Sequence, residues 1–165
     1  MKAILHPGPF LLMVILAAAP AGADEKDPRL ADLDAYWAEI SRTVREGDFA
    51  AYAATCHPEA VLVSGSKKTS YPLTTALARW KKEFDDTKAG RRTSSVEFRF
   101  SQRLGDEVTA HESGIFLYAF QTPGEPLKKE YVHFEGLLVK KPDGWKILME
   151  YQKGPATPAE WKALE

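Results

Sequence analysis

Residues Lys129–Lys153 read KEYVHFEGLLVKK, then PDG, then WKILMEYQK. Two runs rich in Val, Ile, Leu, Tyr, Trp and Phe flank the Pro-Asp-Gly turn, a pattern typical of a hairpin of two antiparallel strands. Polar residues interrupt these apolar runs, namely His133, Glu135, Glu150 and Tyr151. The hairpin therefore predicts a sheet and supplies the first candidates for a functional site.

Upstream of the hairpin, the period-two pattern predicts further strands. Val96, Phe98 and Phe100 alternate with polar residues, as expected of a strand with one buried face. The same patterning predicts strands at 60–64 and 107–121, and turns or polar loops at 65–70, 104–106 and 122–126. After Gly154, the polar tail 155–165 has room for one helical turn.

Three helices are predicted ahead of most of the sheet. Leu33, Trp37 and Ile40 recur at spacings of four and three, the stripe of an amphipathic helix over 29–46. Asp27-Pro28 is a helix start, and Gly47 is a typical end. Further helices are predicted at 49–55 and from Pro72 to about residue 86. Helices grouped ahead of contiguous strands indicate an α+β fold.

The N-terminus has the three-part layout of a secretory signal peptide. Lys2 precedes an apolar run at 10–19, and the small residues 21–23 precede an acidic start at Asp24. The run is too short for a comfortable membrane span, and a short buried helix or anchor is the alternative. We expect cleavage after Ala23 and export to the periplasm or the medium, without a membrane partner.

Cleavage would leave 142 of the 165 residues, enough for one domain at 24–154 followed by the tail 155–165. Losing Lys2 moves the formal charge from −1 to −2. A near-neutral balance argues against a nucleic-acid partner. Cys56 is the only cysteine, so no internal disulfide can form and stability must come from the core.

Several short pieces resemble one known family. They are Gly47-Asp48-Phe49, His57-Pro58 and Gly144-Trp145-Lys146-Ile147, in this order around the third helix. Together they resemble the nuclear transport factor 2-like superfamily, in particular its SnoaL-like and ketosteroid-isomerase-like bacterial members. The resemblance implies a cone, with three N-terminal helices packed on the concave face of a strongly bent, mainly antiparallel sheet. It also implies a pocket between the layers, frequent dimers, and functions that include both enzymes and binders.

The resemblance also assigns positions. Where isomerase-like members have a catalytic Asp, this chain has Ser64, and where they have a second carboxyl group, it has Glu135. Where many SnoaL-like relatives have a His-x-His pair, it has Met149 and Tyr151. These departures argue against steroid-type isomerisation and favour ligand binding.

Glu135 is the leading candidate for a catalytic or anchoring group. The Pro-Asp-Gly loop places it opposite Tyr151, on the face that carries Ile147 and Met149. A carboxyl group on an apolar face suits a general acid, and His133 on the same face or Tyr151 could assist it. A register slip of one residue would instead turn Glu135 to solvent, and both alternatives stay open.

Other chemistry is less well supported. His133 and Glu135 would need His111 as a third metal ligand, but His111 is expected beside Leu137, about 13 Å from His133. We therefore predict no metal and no cofactor. Cys56 and His57 are adjacent but have no partner acid, so Cys56 is interpreted as packing. The predicted pocket lining is Tyr52, Ser64, Tyr71, Trp80, Tyr118 and Met149.

The hairpin carries large apolar residues on both faces, whereas a sheet with one solvated face should alternate cleanly. With no spare helix in the predicted order, a second subunit is expected to cover the convex face, giving a homodimer.

The sequence leaves three hypotheses for the function of the chain. The chain is a binder of a small, largely apolar molecule, an acid–base isomerase, lyase or hydrolase, or a protein-interaction module that uses the sheet face.

Overall fold

A computed structural model describes residues 28–164, so the predicted signal segment 1–23 and Asp27 lie outside the described residues. Within 28–164, no helix combines the length and the apolar character that crossing a membrane requires. The elements in chain order are α1 (Pro28–Glu46), α2 (Phe49–Ala54), β1 (Cys56–Ser64), β2 (Thr69–Pro72), α3 (Leu73–Lys88), β3 (Thr93–Gly105), β4 (Thr109–Gln121), β5 (Lys128–Lys141), β6 (Gly144–Pro155) and α4 (Pro158–Lys162).

The helix predicted at 29–46 is found as α1, and its apolar stripe is buried, with Leu33 and Trp37 at 0% and 6% exposure. Gly47 ends the helix with a φ of +68°. A Cβ added there would lie 2.5 Å from the carbonyl oxygen of Phe84 on α3. The helix end therefore needs glycine both for its left-handed backbone and for the close approach of α3.

The sheet has six strands in the order β2-β1-β6-β5-β4-β3. Strands β3 to β6 form the predicted antiparallel meander, and β1 pairs with β6 in parallel. Two predictions need correction. The last two residues of the loop expected at 65–70, Thr69 and Ser70, belong to β2, which pairs with β1, and β1 begins at Cys56 rather than at Ala60. The fold is α+β with a mixed sheet.

Helices α1, α2 and α3 cover one face of the sheet, called the inner face below, and the main core lies between them. Trp37 of α1 packs against Phe98 and Phe134 of the sheet, with ring centroids 4.6 and 5.7 Å apart. The opposite, outer face carries a smaller cluster built on Ile115 and Leu117. These two faces decide which strand residues can reach a common site.

The tail 155–165 contains the helical turn that its sequence allows, α4. Thr157 and Glu160 form a capping box, in which each side chain accepts from the other residue's backbone N–H. Trp161 of α4 is buried on the outer face against Ile115, Leu117 and Tyr131. The premise that no helix is available to cover this face is therefore wrong, because α4 covers part of it.

A buried carboxylate fastens α1 to the sheet. Glu112 of β4 has no exposed surface and accepts a hydrogen bond from the indole Nε1 of Trp37. Arg103 of β3 donates to Glu112 from Nε at 2.6 Å and also pairs with Asp34 of α1. Since this cluster joins Trp37 and Asp34 of α1 to Glu112 and Arg103 of the sheet, it positions that helix over the inner face.

Candidate functional site

A cavity of about 530 Å³ lies between the helices and the inner face of the sheet. This volume is within the range of small-molecule sites. Its lining is mainly aromatic and aliphatic, with a few polar groups at defined places. The aromatic lining residues are Tyr36, Trp37, Tyr52, Trp80, Phe84, Phe98, Phe116, Tyr118, Phe120 and Phe134.

Glu150 of β6 is the carboxyl group in the interior of the cavity, and Gln152 lies beside it. Burial raises the pKa of its carboxyl group, and the hydrogen bond that Gln152 Nε2 donates to Oε1 at 2.7 Å lowers that pKa in part. Tyr36, Tyr52 and Cys56 are the titratable neighbours that feel its charge. Among residues 28–164, no basic side chain forms an ion pair with Glu150, so its charge is not neutralised nearby.

A second polar group lies where the cavity meets solvent. Arg92 Nη1 is 3.3 Å from Glu83 Oε2, and Arg92 Nη2 donates to the Tyr118 hydroxyl at 2.9 Å. Tyr118 in turn donates to Glu83 at 3.0 Å, and the guanidinium lies 4.1 Å from the ring centroid of Phe120. The exposed Glu130 lines the same region. This end is therefore a mouth with fixed, mutually bonded polar groups.

A β-bulge in β6 explains why Glu150 points inward. Between Ile147 and Met149, β6 gains one residue relative to β5. Ile147 lines the cavity, and beyond the bulge Glu150 and Gln152 line it as well. In a regular strand Glu150, three residues after Ile147, would point to the other face.

The same bulge corrects the placement of Glu135. The predicted register is present, since Glu135 lies opposite Tyr151. However, the cavity-lining residues of β5 are Glu130, Val132 and Phe134, so Glu135 and its partner Tyr151 lie on the outer face. The prediction that Glu135 shares a face with Ile147 is wrong, because the alternation assumed along β6 is broken at the bulge.

On the outer face, Glu135 accepts from Lys153 Nζ at 2.7 Å and contacts His111 Nε2 at 3.4 Å. The hydrogen bond from Lys153 lowers the pKa of Glu135, opposite to what a general acid needs. His133, also outside the cavity, pairs with Glu160 of α4 at 3.2 Å. Glu135, His133 and Tyr151 therefore form no joint site in the cavity.

The predicted pocket lining divides into two groups. Tyr52, Trp80 and Tyr118 line the cavity, whereas Ser64, Tyr71 and Met149 do not. Met149 is turned to the outer face by the bulge. Ser64 lies at the end of β1, where its hydroxyl accepts from the Lys67 backbone, and Tyr71 lies on β2 with its hydroxyl bonded to Arg79.

Cys56 lines the cavity, yet its environment does not suit a nucleophile. Burial raises the pKa of its thiol to about 12, which keeps it protonated. His57 accepts a hydrogen bond from the Glu59 backbone at 3.2 Å. His111 lies opposite Leu137, as predicted. In the range 28–164, no three His, Cys, Asp or Glu side chains are grouped so that they could hold a metal ion.

The sequence interpretation named Glu150 but did not place it in the cavity, and it missed Gln152, Arg92 and Glu83. Glu150 does carry a signal, since it is a carboxylate within the apolar run of β6. That signal was ambiguous, because strict alternation from Ile147 assigns Glu150 to the outer face. Arg92 and Glu83 carry none, because charged residues are ordinary at a loop and on a helix.

Comparisons with known proteins define the fold. No family model matches the chain, and no curated protein matches its sequence. A ketosteroid isomerase-like protein from Erwinia carotovora atroseptica matches with a TM-score of 0.56 and 14% identity, over 79% of this chain and 98% of its own. An NTF-2 like protein of unknown function from Shewanella oneidensis matches with a TM-score of 0.56 and 17% identity, over 74% and 96%.

A third match is the beta subunit of the benzoate 1,2-dioxygenase from Burkholderia mallei, with a TM-score of 0.62 and 17% identity over 74% of this chain and 88% of its own. The chain therefore has the nuclear transport factor 2-like fold, and the fold expected from the resemblance is confirmed. At these identities the likeness defines the fold alone.

Proposed function

We propose that this protein binds a small, largely apolar molecule in the cavity between its helices and its sheet. The observation that carries the proposal is the cavity itself, about 530 Å³ with an aromatic lining and one carboxyl group in its interior. Apolar walls with a few placed polar groups are the usual composition of a ligand site. Glu150 and Gln152 would orient the ligand from the interior, and Tyr118 from the mouth.

A second candidate function is acid–base catalysis by Glu150, as in an isomerase, lyase or hydrolase. A buried carboxyl group with a raised pKa is protonated over a wider pH range than usual, which is the property of a general acid. We rank binding first because Glu150 has no basic or histidine partner among the described residues that could relay a proton.

We further propose that the protein is exported and acts as a homodimer of conical subunits. Export rests on the signal-like segment 1–23. The dimer rests on half-buried apolar residues of the outer face beyond the area covered by α4, such as Val63, Leu137 and Val139. A protein-interaction role for that face is the alternative to self-association.

Titration with the neutral dye Nile red tests ligand binding, because its fluorescence increases in apolar surroundings. We expect saturable binding at one site per chain. Val132→Trp fills the cavity and should weaken binding at least about tenfold. Val139→Trp, on the same strand but outside the cavity, is the matched control and should leave binding unchanged. Absence of saturable binding, or equal effects of the two variants, would refute the proposal.

A further inference from the structure

We propose that the cavity selects an organic cation, an amine or quaternary ammonium group on an apolar body. The inference rests on the proposed function, since it names the ligand class of the same cavity. It follows from three features of the lining. Carboxyl groups outnumber basic groups, aromatic rings face the cavity, and the one arginine of the lining is already paired with a glutamate.

Acidic side chains outnumber basic ones in the cavity lining. Glu83, Glu130 and Glu150 supply three carboxyl groups, and Arg92 is the one basic residue of the lining. Arg92 is already paired with Glu83 at 3.3 Å. Across residues 28–164, neither Glu130 nor Glu150 forms an ion pair with a basic side chain. Burial favours the protonated form of Glu150, and a bound cation would favour its ionised form, so the low-dielectric interior pairs a ligand cation with this carboxylate.

The aromatic lining complements this charge. Tyr52 and Trp80 meet edge to face, with ring centroids 6.3 Å apart and planes at 77°, and thus form a corner. Phe98 and Phe116 face the cavity from the sheet. The negative faces of such rings attract cations, and clusters of them recognise quaternary ammonium groups. A ligand cation here would meet both aromatic rings and the carboxylate of Glu150.

Glu150 also keeps acceptor capacity for a ligand. Gln152 donates to Oε1 at 2.7 Å, whereas Oε2 has no hydrogen-bond partner among the described residues. An ammonium group can donate to that oxygen, and a quaternary ammonium group can lie against it without a hydrogen bond. A cation would thereby supply the counter-charge that the protein itself does not provide.

An anionic ligand fits less well, although Arg92 Nε has no hydrogen-bond partner. That nitrogen is buried, and the guanidinium lies 4.1 Å from the centroid of the Phe120 ring. A ligand oxygen could reach Nε only if Arg92 left Glu83 and Tyr118. An anion in the cavity would also be repelled by the ionised form of Glu150.

The test compares two molecules of nearly the same shape, phenyltrimethylammonium and tert-butylbenzene, which differ in charge. Each is titrated against the protein with bound Nile red, and displacement gives its affinity. We expect the cation to bind at least about tenfold more tightly. Equal affinities, or tighter binding of tert-butylbenzene, would overturn the cation inference and leave the proposed function intact. Failure of Nile red and of both molecules to bind would overturn both.

Variants then assign the preference to Glu150. Glu150→Gln keeps the shape of the side chain, so it should reduce the cation preference to near unity and leave tert-butylbenzene binding unchanged. Glu135→Gln is the matched control, since Glu135 lies on the outer face of the neighbouring strand. It should retain the full preference. An unaltered preference in Glu150→Gln would contradict the role given to this carboxylate.

Discussion

Glu150 lies in an environment that is unfavourable for an ionised carboxyl group, because no basic side chain of residues 28–164 pairs with it. Its carboxyl group is buried among Tyr36, Tyr52 and Cys56, so the folded chain holds a proton there more tightly than the unfolded chain does. The stability contributed by this site is therefore fully present below the ordinary Glu pKa of 4.5 and is lost as the pH rises through the raised folded-state value.

Glu150→Gln should accordingly become more stable relative to the parent protein as the pH rises. The glutamine has no ionised form to desolvate, so the difference in the free energy of unfolding should increase from about pH 4 to about pH 8. Urea unfolding of both proteins at a series of pH values measures this difference. A difference that does not change with pH would contradict the raised pKa.

Glu135→Gln provides a control of opposite sign. Lys153 lowers the pKa of Glu135, so the stability from that carboxylate is present above the ordinary Glu pKa and is lost as the pH falls through the lowered value. Its replacement should therefore destabilise the protein at neutral pH and have less effect in acid. Two substitutions of the same type on adjacent strands would thus show opposite pH trends.

The sequence identifies the polar residues of the hairpin, but it does not show on which face of the sheet each of them lies. Glu135 and Glu150 are equivalent by pattern, since each is a carboxylate in an apolar strand. Their faces are decided by the one extra residue in β6. Ile147, Leu148 and Met149 are all apolar, so the break in alternation has no visible signal.

Among the elements, α4 shows how a short polar tail can complete a core. Its five residues are held by the capping box at Thr157, by Trp161 on the outer-face cluster and by Arg99 Nη1, which donates to the Trp161 carbonyl at 2.8 Å. The Arg99 guanidinium also lies 4.2 Å from the Trp161 ring. The single tryptophan therefore carries most of the attachment.

Trp161→Ala should detach α4 and expose Ile115 and Leu117. We expect a loss of about 3 kcal/mol in the free energy of unfolding, as for other buried aromatic residues, and early proteolysis of the tail. Thermal or urea unfolding and limited trypsin digestion measure the two effects. Lys162→Arg, which keeps the trypsin site at an exposed position on the same helix, is the control and should change neither.

Elements with strong periodicity were predictable and weakly marked ones were not. The stripe of α1 and the Pro-Asp-Gly hairpin repeat an apolar signal over many residues, so local errors average out. Strand β2 has only four residues, and three of them, Thr69, Ser70 and Tyr71, are compatible with a polar loop. Its pairing with β1 comes from tertiary contact, which no local pattern encodes.

For the whole molecule, the order of elements was enough to predict the α+β class, and the resemblance carried by the short motifs predicted the fold. The cavity could not be placed in the same way, because its lining combines residues from α1, α2, α3 and five of the six strands. Spacing within one element limits which residues share a face. It does not say which faces of different elements enclose a common space.

The apolar residues of the outer face bear on the oligomeric state of the protein. Beyond the part covered by α4, half-buried apolar side chains of three neighbouring strands lie on one surface, including Val63 on β1, Leu137 on β5 and Met149 on β6. A contiguous apolar surface of this kind favours self-association. We therefore expect a dimer through the outer face, with both cavities on the far side of each sheet.

Leu137→Glu should convert this dimer to a monomer, because burying an unpaired carboxylate in an apolar interface is costly. Size-exclusion chromatography with light scattering at micromolar concentration measures the mass. Leu127→Glu is the matched control, since Leu127 is 52% exposed and lies in the loop between β4 and β5, outside the strands that form that surface. Nile red binding should persist in the Leu137→Glu monomer, because its cavity lies on the inner face. A parent protein that is already monomeric would exclude the dimer, whereas loss of dye binding on dissociation would mean that the cavity depends on the partner subunit.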